Sequence, residues 1–385
     1  MIITHLKLTN WRNFRDLDLD FSTRNYIIGA NAAGKSNLLD VFRFLRTIAK
    51  PEGGGLQKAI KERGGLSKLR SLHARQNPAV HLWIEIAESP DPDSPRWEYE
   101  LAFKSEGKGA QRVLITRERV SWDNQEILIR PTKGDQQDTA RLTQTYLEQI
   151  NNNVKFRVLA DFFSATTYLH LVPQLLKFGE EISSRIIEDD PFGQGLLQRI
   201  ASTPQKTQTA RLKRIGQALQ VAVPQFSVLR FEKDPITGAP HLEASFKHWR
   251  GNGAWQREDQ FSDGTLRLIG LLWALQEGDG LLLLEEPELS LNDAIVEHIP
   301  LMIDRVVRLL KRKTRQVIIT THSDNLIGAV SDPLSIILLE PSPNGTHARK
   351  ADEEEIAAME NGLTPAEVLL PKTRPQHIFQ VELFS

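Results

Sequence analysis

Gly29, Gly34, Lys35 and Ser36, in the stretch "GANAAGKS", are the first residues whose types and spacing could do chemistry. The pattern G-x-x-x-x-G-K-S lets backbone N–H groups along Gly29, Ala30, Asn31, Ala32, Ala33 and Gly34 close around phosphates. The helix opening at Lys35, Ser36 and Asn37 adds the positive potential of its N-terminus. Lys35 would reach the β- and γ-phosphates, and the Ser36 hydroxyl would ligate Mg2+. A Gly-rich turn that happens to hold a lysine is the bland reading, yet four such constraints coincide only about once in a hundred chains of this length. The apolar run Tyr26–Ile28 before it and the amphipathic "SNLLDVFRFLR" after it supply the strand–loop–helix context that the motif requires. The sequence therefore implies binding of a nucleoside triphosphate.

A second group of chemical residues lies far downstream. In "LLLLEEPELSLND" the apolar strand Leu281–Leu284 ends in Glu285 and Glu286, at the edge where open α/β sheets place their ligands. Glu285 would hold Mg2+ directly or through water, and Glu286 would orient or deprotonate a water attacking the γ-phosphate. Pro287 stops the strand. Another buried strand, "QVIITTH", ends at His322, which can hydrogen-bond a γ-phosphate and register its loss. Thr320, Thr321 and His322 also read as plain strand-end and helix-cap residues, and Asp324 and Asn325 read as caps of the next helix. A third group is "QFSDGTLRLIGLLWAL", where the polar turn Ser262, Asp263 and Gly264 runs straight into an apolar helix. Capping explains Ser262 and Asp263, and the same helix start is an anion site.

These groups need a scaffold, and the rest of the chain reads as one. The N-terminus is β in character ("MIITHLKLTN", "LDLDF", "NYIIG"), followed by a helix over about Ser36–Ile48. Further strands are expected in "AVHLWIEIAE", "RWEYELAFK", "RVLITRERVSW" and "EILIR", with "SPDPDSP" as a surface loop. From about Pro131 to Val223 the chain reads as helical and polar, with amphipathic patterns in "DTARLTQTYLEQI" and "TQTARLKRIGQALQ". Strands return near "FSVLRFEK" and "PHLEASFKHW". Then "GLLLLEEP", a helix over Asn292–Leu310, "QVIITTH" and "SIILLE" alternate as in a mostly parallel sheet buried on both faces. No repeat and no extended coiled-coil heptad pattern is present.

With 385 residues, 40% apolar and 25% charged, the chain can bury a full core. Its 0 cysteines exclude disulfides and Cys-ligated metal sites, and fit a reducing cytoplasm. No secretory leader or membrane-spanning run is evident, so a cytoplasmic protein without membrane contact is expected. The net charge of −1 gives no bulk attraction to nucleic acid. Two segments depart from that balance: Arg43–Arg75 carries nine Lys/Arg against two acids, and Arg305–Arg315 carries six against none. Lys68, Arg70 and Arg75 are candidate nucleic-acid contacts, with a solvated helix face or loop as the other reading.

Taken together, "LKLTNWRNFRDLDLDF", "GANAAGKS", "FSDGTLR", "LLLLEEPELSL" and "TTHS" resemble the opening hairpin, Walker A, signature, Walker B with D-loop, and switch histidine of ABC-type ATPases of the SMC/RecF/OLD branch. The resemblance covers residues 1–130 and 225–345. "GGGLQKAI" and "ERGGLSKLRSLHAR" are most similar to stand-alone bacterial RecF/OLD-like AAA-type ATPases without a TOPRIM domain. It implies an α/β P-loop NTPase fold: an ABC-type head with a mixed sheet flanked by helices, an N-terminal antiparallel β subdomain and a helical insert. The expected division is an N-terminal ATPase lobe over 1–130, a helical arm over 131–225 and a C-terminal lobe with a short tail over 226–385. The cofactors implied are ATP, preferred over GTP on the resemblance alone, and Mg2+. Ser262, Asp263, Gly264 and Arg267 fall on the signature positions, which in such ATPases touch the nucleotide held by a second subunit. A homodimer sandwiching two ATP molecules follows.

Three departures qualify the resemblance. Glu285 stands where most relatives have Asp. No Q-loop glutamine is evident, Gln57 and Gln76 being the candidates. The insert of about 90 residues is too short for SMC coiled coils. Only about 45 residues follow "SIILLE", too few for the TOPRIM nuclease domain of OLD proteins, so any nuclease activity is expected from a partner chain. The resulting expectation is a dimeric ATP switch controlling an effector partner, a nuclease or toxin, in anti-phage defence. A RecF-like DNA repair ATPase and a nucleotide-gated scaffold with negligible turnover are the other readings.

Overall fold

The computed structural model describes residues 1–74, 78–107, 112–178, 190–247, 254–309 and 315–373. In chain order the strands are β1 (Ile2–Trp11), β2 (Phe14–Asp20), β3 (Arg24–Gly29), β4 (Val80–Ala87), β5 (Arg96–Ser105), β6 (Val113–Trp122) and β7 (Gln125–Arg130). They continue as β8 (Thr167–Leu169), β9 (Phe226–Lys233), β10 (Pro240–Phe246), β11 (Ala254–Arg257), β12 (Leu282–Glu285), β13 (Val317–Thr320), β14 (Ile336–Ser342) and β15 (Gly345–Arg349).

The strands form three sheets among the described residues. An antiparallel sheet has the order β2-β1-β4-β5-β6-β7, and a small one β11-β10-β9. The central sheet has the order β15-β14-β3-β13-β12-β8, parallel from β14 to β8 with β15 antiparallel at its edge. Its strands are apolar on both faces because each face has its own core. Ile27, Leu281, Leu283 and Ile318 pack toward the antiparallel sheet and the helix Lys35–Ala49. Tyr26, Ile28, Leu282, Leu284 and Ile319 pack on the other side, with the helix Asp263–Gln276. The period-2 alternation of a strand thus divides one apolar run between two cores. Gln316 joins the sheets: its amide donates to the Ile3 carbonyl at 2.7 Å and accepts from the Ile3 N–H at 2.9 Å.

The mixed central sheet, the N-terminal antiparallel sheet and the flanking helices agree with the α/β architecture expected. Four local expectations need correction. The segment read as helical and polar in character also contains β8, which pairs parallel with β12 and so belongs to the central sheet. "DTARLTQTYLEQI" forms a short 3-10 turn (Thr139–Thr143) and irregular chain rather than an α-helix. There the buried Glu118 carboxylate accepts the Tyr146 and Leu147 N–H groups that a helix would have used. The helix expected from Asn292 is split into Asp293–Val296 and Ile299–Leu309. Pro300 explains the break, since it has no N–H and its ring clashes with the preceding turn. The cap before Asp324 is Ser323, whose hydroxyl accepts from the Leu326 N–H at 3.2 Å. No helix among the described residues is long and apolar enough to cross a membrane.

Candidate functional site

Parallel pairing brings the C-terminal ends of β3, β13, β12 and β8 to one edge of the central sheet. The phosphate loop leaves β3 there, Glu285 ends β12 and His322 follows β13. The loop is folded tightly. Gly34 has φ 103° and Ala32 φ 63°, both in the left-handed region. Lys35 is buried, and its ammonium donates back to the Gly29 carbonyl at 2.9 Å. Burial lowers its pKa below the usual lysine value, while Glu286, Glu285 and Glu288 oppose that shift. A lysine curled onto its own loop is poised to exchange those carbonyl partners for phosphate oxygens.

Asn13, in the hairpin between β1 and β2, clamps the loop from outside. Its amide donates to the Ala33 carbonyl at 2.8 Å and to the Thr346 hydroxyl at 2.7 Å. Its carbonyl accepts from the Asn37 amide at 2.7 Å. A Cβ at Gly34 would lie 2.1 Å from the Asn13 amide nitrogen, so the glycine is required by contact as well as by φ.

The Ser36 hydroxyl donates to Oε1 of Glu285, and Tyr168 on β8 donates to Oε2 of Glu285 at 2.5 Å. Ser36 and Glu285 thus converge as two hard oxygen donors. No group of three His, Cys, Asp or Glu residues suited to a metal occurs among the described residues. A hydroxyl with one carboxylate fits Mg2+, which keeps waters and takes phosphate oxygens rather than filling a protein-only cage.

Glu286 turns away from Glu285. Its φ of 46° breaks the strand direction, and its N–H still donates to the Thr320 carbonyl at 2.9 Å. Its Oε1 lies 3.1 Å from Nε2 of His322. Burial and the Lys35 charge hold His322 below the usual imidazole value, with Glu286 opposing. Behind this pair Glu288 is buried and raised above the carboxylate range, its first cause being burial. Its Oε1 accepts from the Thr321 hydroxyl at 2.5 Å and the His322 N–H at 3.2 Å.

The signature residues divide. Ser262 is exposed and caps its helix by accepting from the Thr265 N–H at 3.2 Å. Asp263 is held within the chain by Lys177 and Gln174, both at 2.8 Å. A Cβ on Gly264 would lie 2.5 Å from the Ser290 carbonyl, so the signature turn is packed onto the loop after Glu286. Arg267 lies half-buried beside Leu284, Glu285 and Pro287 of its own chain, where burial lowers its pKa below the usual guanidinium value. Gln57 donates to the Val113 and Thr143 carbonyls, at 3.0 and 2.8 Å, and so serves the structure there. Lys68 and Arg70 lie on a turn docked to β1, where the Arg12 N–H donates to the Leu69 carbonyl at 2.7 Å. Arg75 and Gln76 fall outside the described residues. The sequence reading missed Asn13, Tyr168 and Glu288. Of these only Tyr168 left a local signal, the β-rich run "TTYLHLV" closed by a proline.

Comparison with known proteins bears on the family and the fold. The AAA_21 family, described as "AAA domain, putative AbiEii toxin, Type IV TA system", matches residues 24–328. The DNA replication and repair protein RecF of Bacillus cytotoxicus is 31% identical over 88 residues, 23% of this chain and 24% of that protein. RecF of Roseiflexus castenholzii is 36% identical over 62 residues, 16% of each. The matches thus span about a quarter or less of these relatives' lengths. Among solved structures, an Smc head bound to the C-terminal winged-helix domain of ScpA superposes with TM-score 0.56 at 16% identity, covering 92% of this chain and all of that one. The Smc head with an extended coiled coil from Pyrococcus furiosus gives TM-score 0.52 at 14% identity, covering 94% and 98%. Both show the shared fold. The chain belongs to the AAA_21 family, and it shares the fold of SMC heads.

Proposed function

We propose that the chain hydrolyses ATP with Mg2+ as the engine of a dimeric switch: two heads close on ATP, hydrolyse it and open. The observation that carries this reading is the convergence of Lys35, Ser36, Glu285 and the Glu286–His322 pair on one sheet edge. Ser36 and Glu285 would hold Mg2+, which would supply positive charge to the phosphates. Lys35 leaves the Gly29 carbonyl for the phosphates. Glu286 accepts a proton from the attacking water; the single N–H of the neutral His322 imidazole orients that carboxylate and, once ATP is bound, is exchanged onto the γ-phosphate. Ser262, exposed at a helix N-terminus, offers its hydroxyl to the nucleotide of a second subunit, with Gly264 keeping the turn close. Asp263, held by Lys177 and Gln174, and Arg267, one turn further along the helix, complete the signature that faces the second subunit.

The work of the switch is to control an effector protein, a toxin or nuclease, in defence against phage. The family's description, "putative AbiEii toxin, Type IV TA system", supports a link to toxin systems, and the partner is inferred from the sequence. The test is affinity purification of the full-length Glu286→Gln protein from its native host with ATP and Mg2+, followed by mass spectrometry and nuclease digestion. A stoichiometric protein partner supports the effector reading. A second reading, DNA repair, is favoured by the similarity to RecF proteins and by basic Lys68 and Arg70. Recovery of DNA alone, lost on Lys35→Ala, would establish it instead. Absence of any turnover in the parent chain would leave a nucleotide-gated scaffold.

A further inference from the structure

β8 brings to the metal side of the site a residue that no phosphate motif contains. In the parallel register Tyr168 pairs with Leu283, so it shares a face of the sheet with Glu285 two residues on. Its hydroxyl donates to Oε2 of Glu285 at 2.5 Å, while Oε1 of that carboxylate receives the Ser36 hydroxyl. The phenol is itself held. Its side chain is buried, and the Arg43 guanidinium, on the helix that starts at the phosphate loop, stacks over the ring at 4.1 Å.

The arrangement answers a problem that Glu285 creates. Glutamate has one more rotatable bond than aspartate, so its carboxylate can swing or chelate with both oxygens. A donor fixed on Oε2 removes both freedoms. We propose that Tyr168 is a positioning residue for the divalent cation: it holds Oε2 of Glu285 so that Oε1 alone is presented, beside the Ser36 hydroxyl, to Mg2+. The proposal rests on the reading of Glu285 as a metal ligand. Outer partners of this kind orient metal ligands and set their affinity. β8 lies in the segment between the two ATPase lobes, so that segment contributes to the metal site.

The test uses the full-length protein with ATP, measuring Mn2+ binding by electron paramagnetic resonance and turnover against Mg2+ concentration. The variants are Tyr168→Phe, Glu285→Asp, Glu285→Gln and Tyr168→Phe/Glu285→Asp. Phenylalanine keeps the ring on Arg43, so the fold and its melting temperature are retained. Tyr168→Phe is expected to weaken Mn2+ binding and raise half-saturating Mg2+ by about tenfold, with kcat recovering at high Mg2+. In the Glu285→Asp background the shorter carboxylate no longer reaches the phenol, and Tyr168→Phe adds nothing. Parent-like metal dependence in Tyr168→Phe, or an equal loss in both backgrounds, overturns the proposal. Unchanged Mn2+ binding in Glu285→Gln overturns the underlying reading of Glu285 itself. Loss in Glu285→Gln with a parent-like Tyr168→Phe overturns only the role of Tyr168.

Discussion

Nε2 of His322 lies 3.1 Å from Oε1 of Glu286, across the gap between the ends of two neighbouring parallel strands. The contact exists because Glu286 abandons strand geometry: at φ 46° its side chain leaves the direction that alternation after Glu285 would give it. Adjacent carboxylates are thereby separated, one toward Ser36 and one toward His322. Glu286→Gln keeps the shape and removes the base. Turnover should fall by at least about 100-fold while ATP binding persists, measured by single-turnover hydrolysis and nucleotide binding. A variant that hydrolyses ATP at a rate near the parent's would remove Glu286 from the chemistry.

His322 makes the site sensitive to acid in a definite direction. Burial and Lys35 lower its pKa below the ordinary 6.5, so the folded chain binds fewer protons than the unfolded one. Its contribution to stability is therefore intact above that ordinary value and declines as pH falls below it. Melting temperatures of the parent should drop more steeply than those of His322→Gln on going from about pH 7.5 to about pH 5.5. Parallel slopes for the two proteins would contradict the assignment.

Asn13 joins three pieces of chain at the phosphate loop. Asn13→Ala strands the Ala33 carbonyl and the Asn37 amide and should cost about 1–3 kcal/mol, read by denaturant unfolding. ATP affinity should fall with it, because the loop loses its outer clamp. Asn13→Asp keeps the acceptor for Asn37 and loses both donors, so it should not restore affinity.

The residues legible in the sequence were those whose chemistry is local. "GANAAGKS" specifies strand, loop and helix within a dozen residues, and "LLLLEEP" specifies a buried strand with carboxylates at its end. Asn13 and Glu288 were not legible, because each acts on groups distant in sequence: Thr346 for Asn13, Thr321 for Glu288. The helical pattern at 138–150 failed for a similar reason. Its periodicity is genuine, but a carboxylate from β6 takes the N–H groups. β8 left the β-rich run "TTYLHLV" in the sequence, but its three paired residues lie in a stretch otherwise helical and polar in character, and only pairing with β12 makes them a strand.

Gly264 tests how closely the signature turn must approach the loop after Glu286. A methyl there would meet the Ser290 carbonyl at 2.5 Å, and Ser290 already sits at φ 62°. Neither backbone can yield without moving the turn that carries Ser262. Gly264→Ala should destabilise by about 1–3 kcal/mol. If Ser262 acts on a second subunit's nucleotide, ATP-dependent dimerisation should weaken too, measured by light scattering with the Glu286→Gln background holding ATP intact.

Asp40 ties the phosphate-loop helix to two other elements through charge. Its carboxylate accepts from Arg12 at 2.6 and 3.1 Å and from Arg63 at 2.8 and 3.0 Å, and is nearly buried. Burial alone would raise its pKa, but Arg63 and then Arg12 outweigh it and hold the carboxyl below its ordinary 3.8. The folded state therefore favours the charged form, and its stabilisation is present above that ordinary value and lost as pH falls through the lower folded one. Asp40→Asn keeps the shape but leaves two guanidinium groups facing a neutral amide. Removing one partner of a buried ion pair typically costs about 3–5 kcal/mol. The partial exposure of Arg12 places the expected loss near the lower end. Urea unfolding at neutral pH should show that loss, and the gap between variant and parent should narrow in acid as Asp40 itself becomes protonated. A gap independent of pH would mean that packing, and not the charge on Asp40, holds the three elements together.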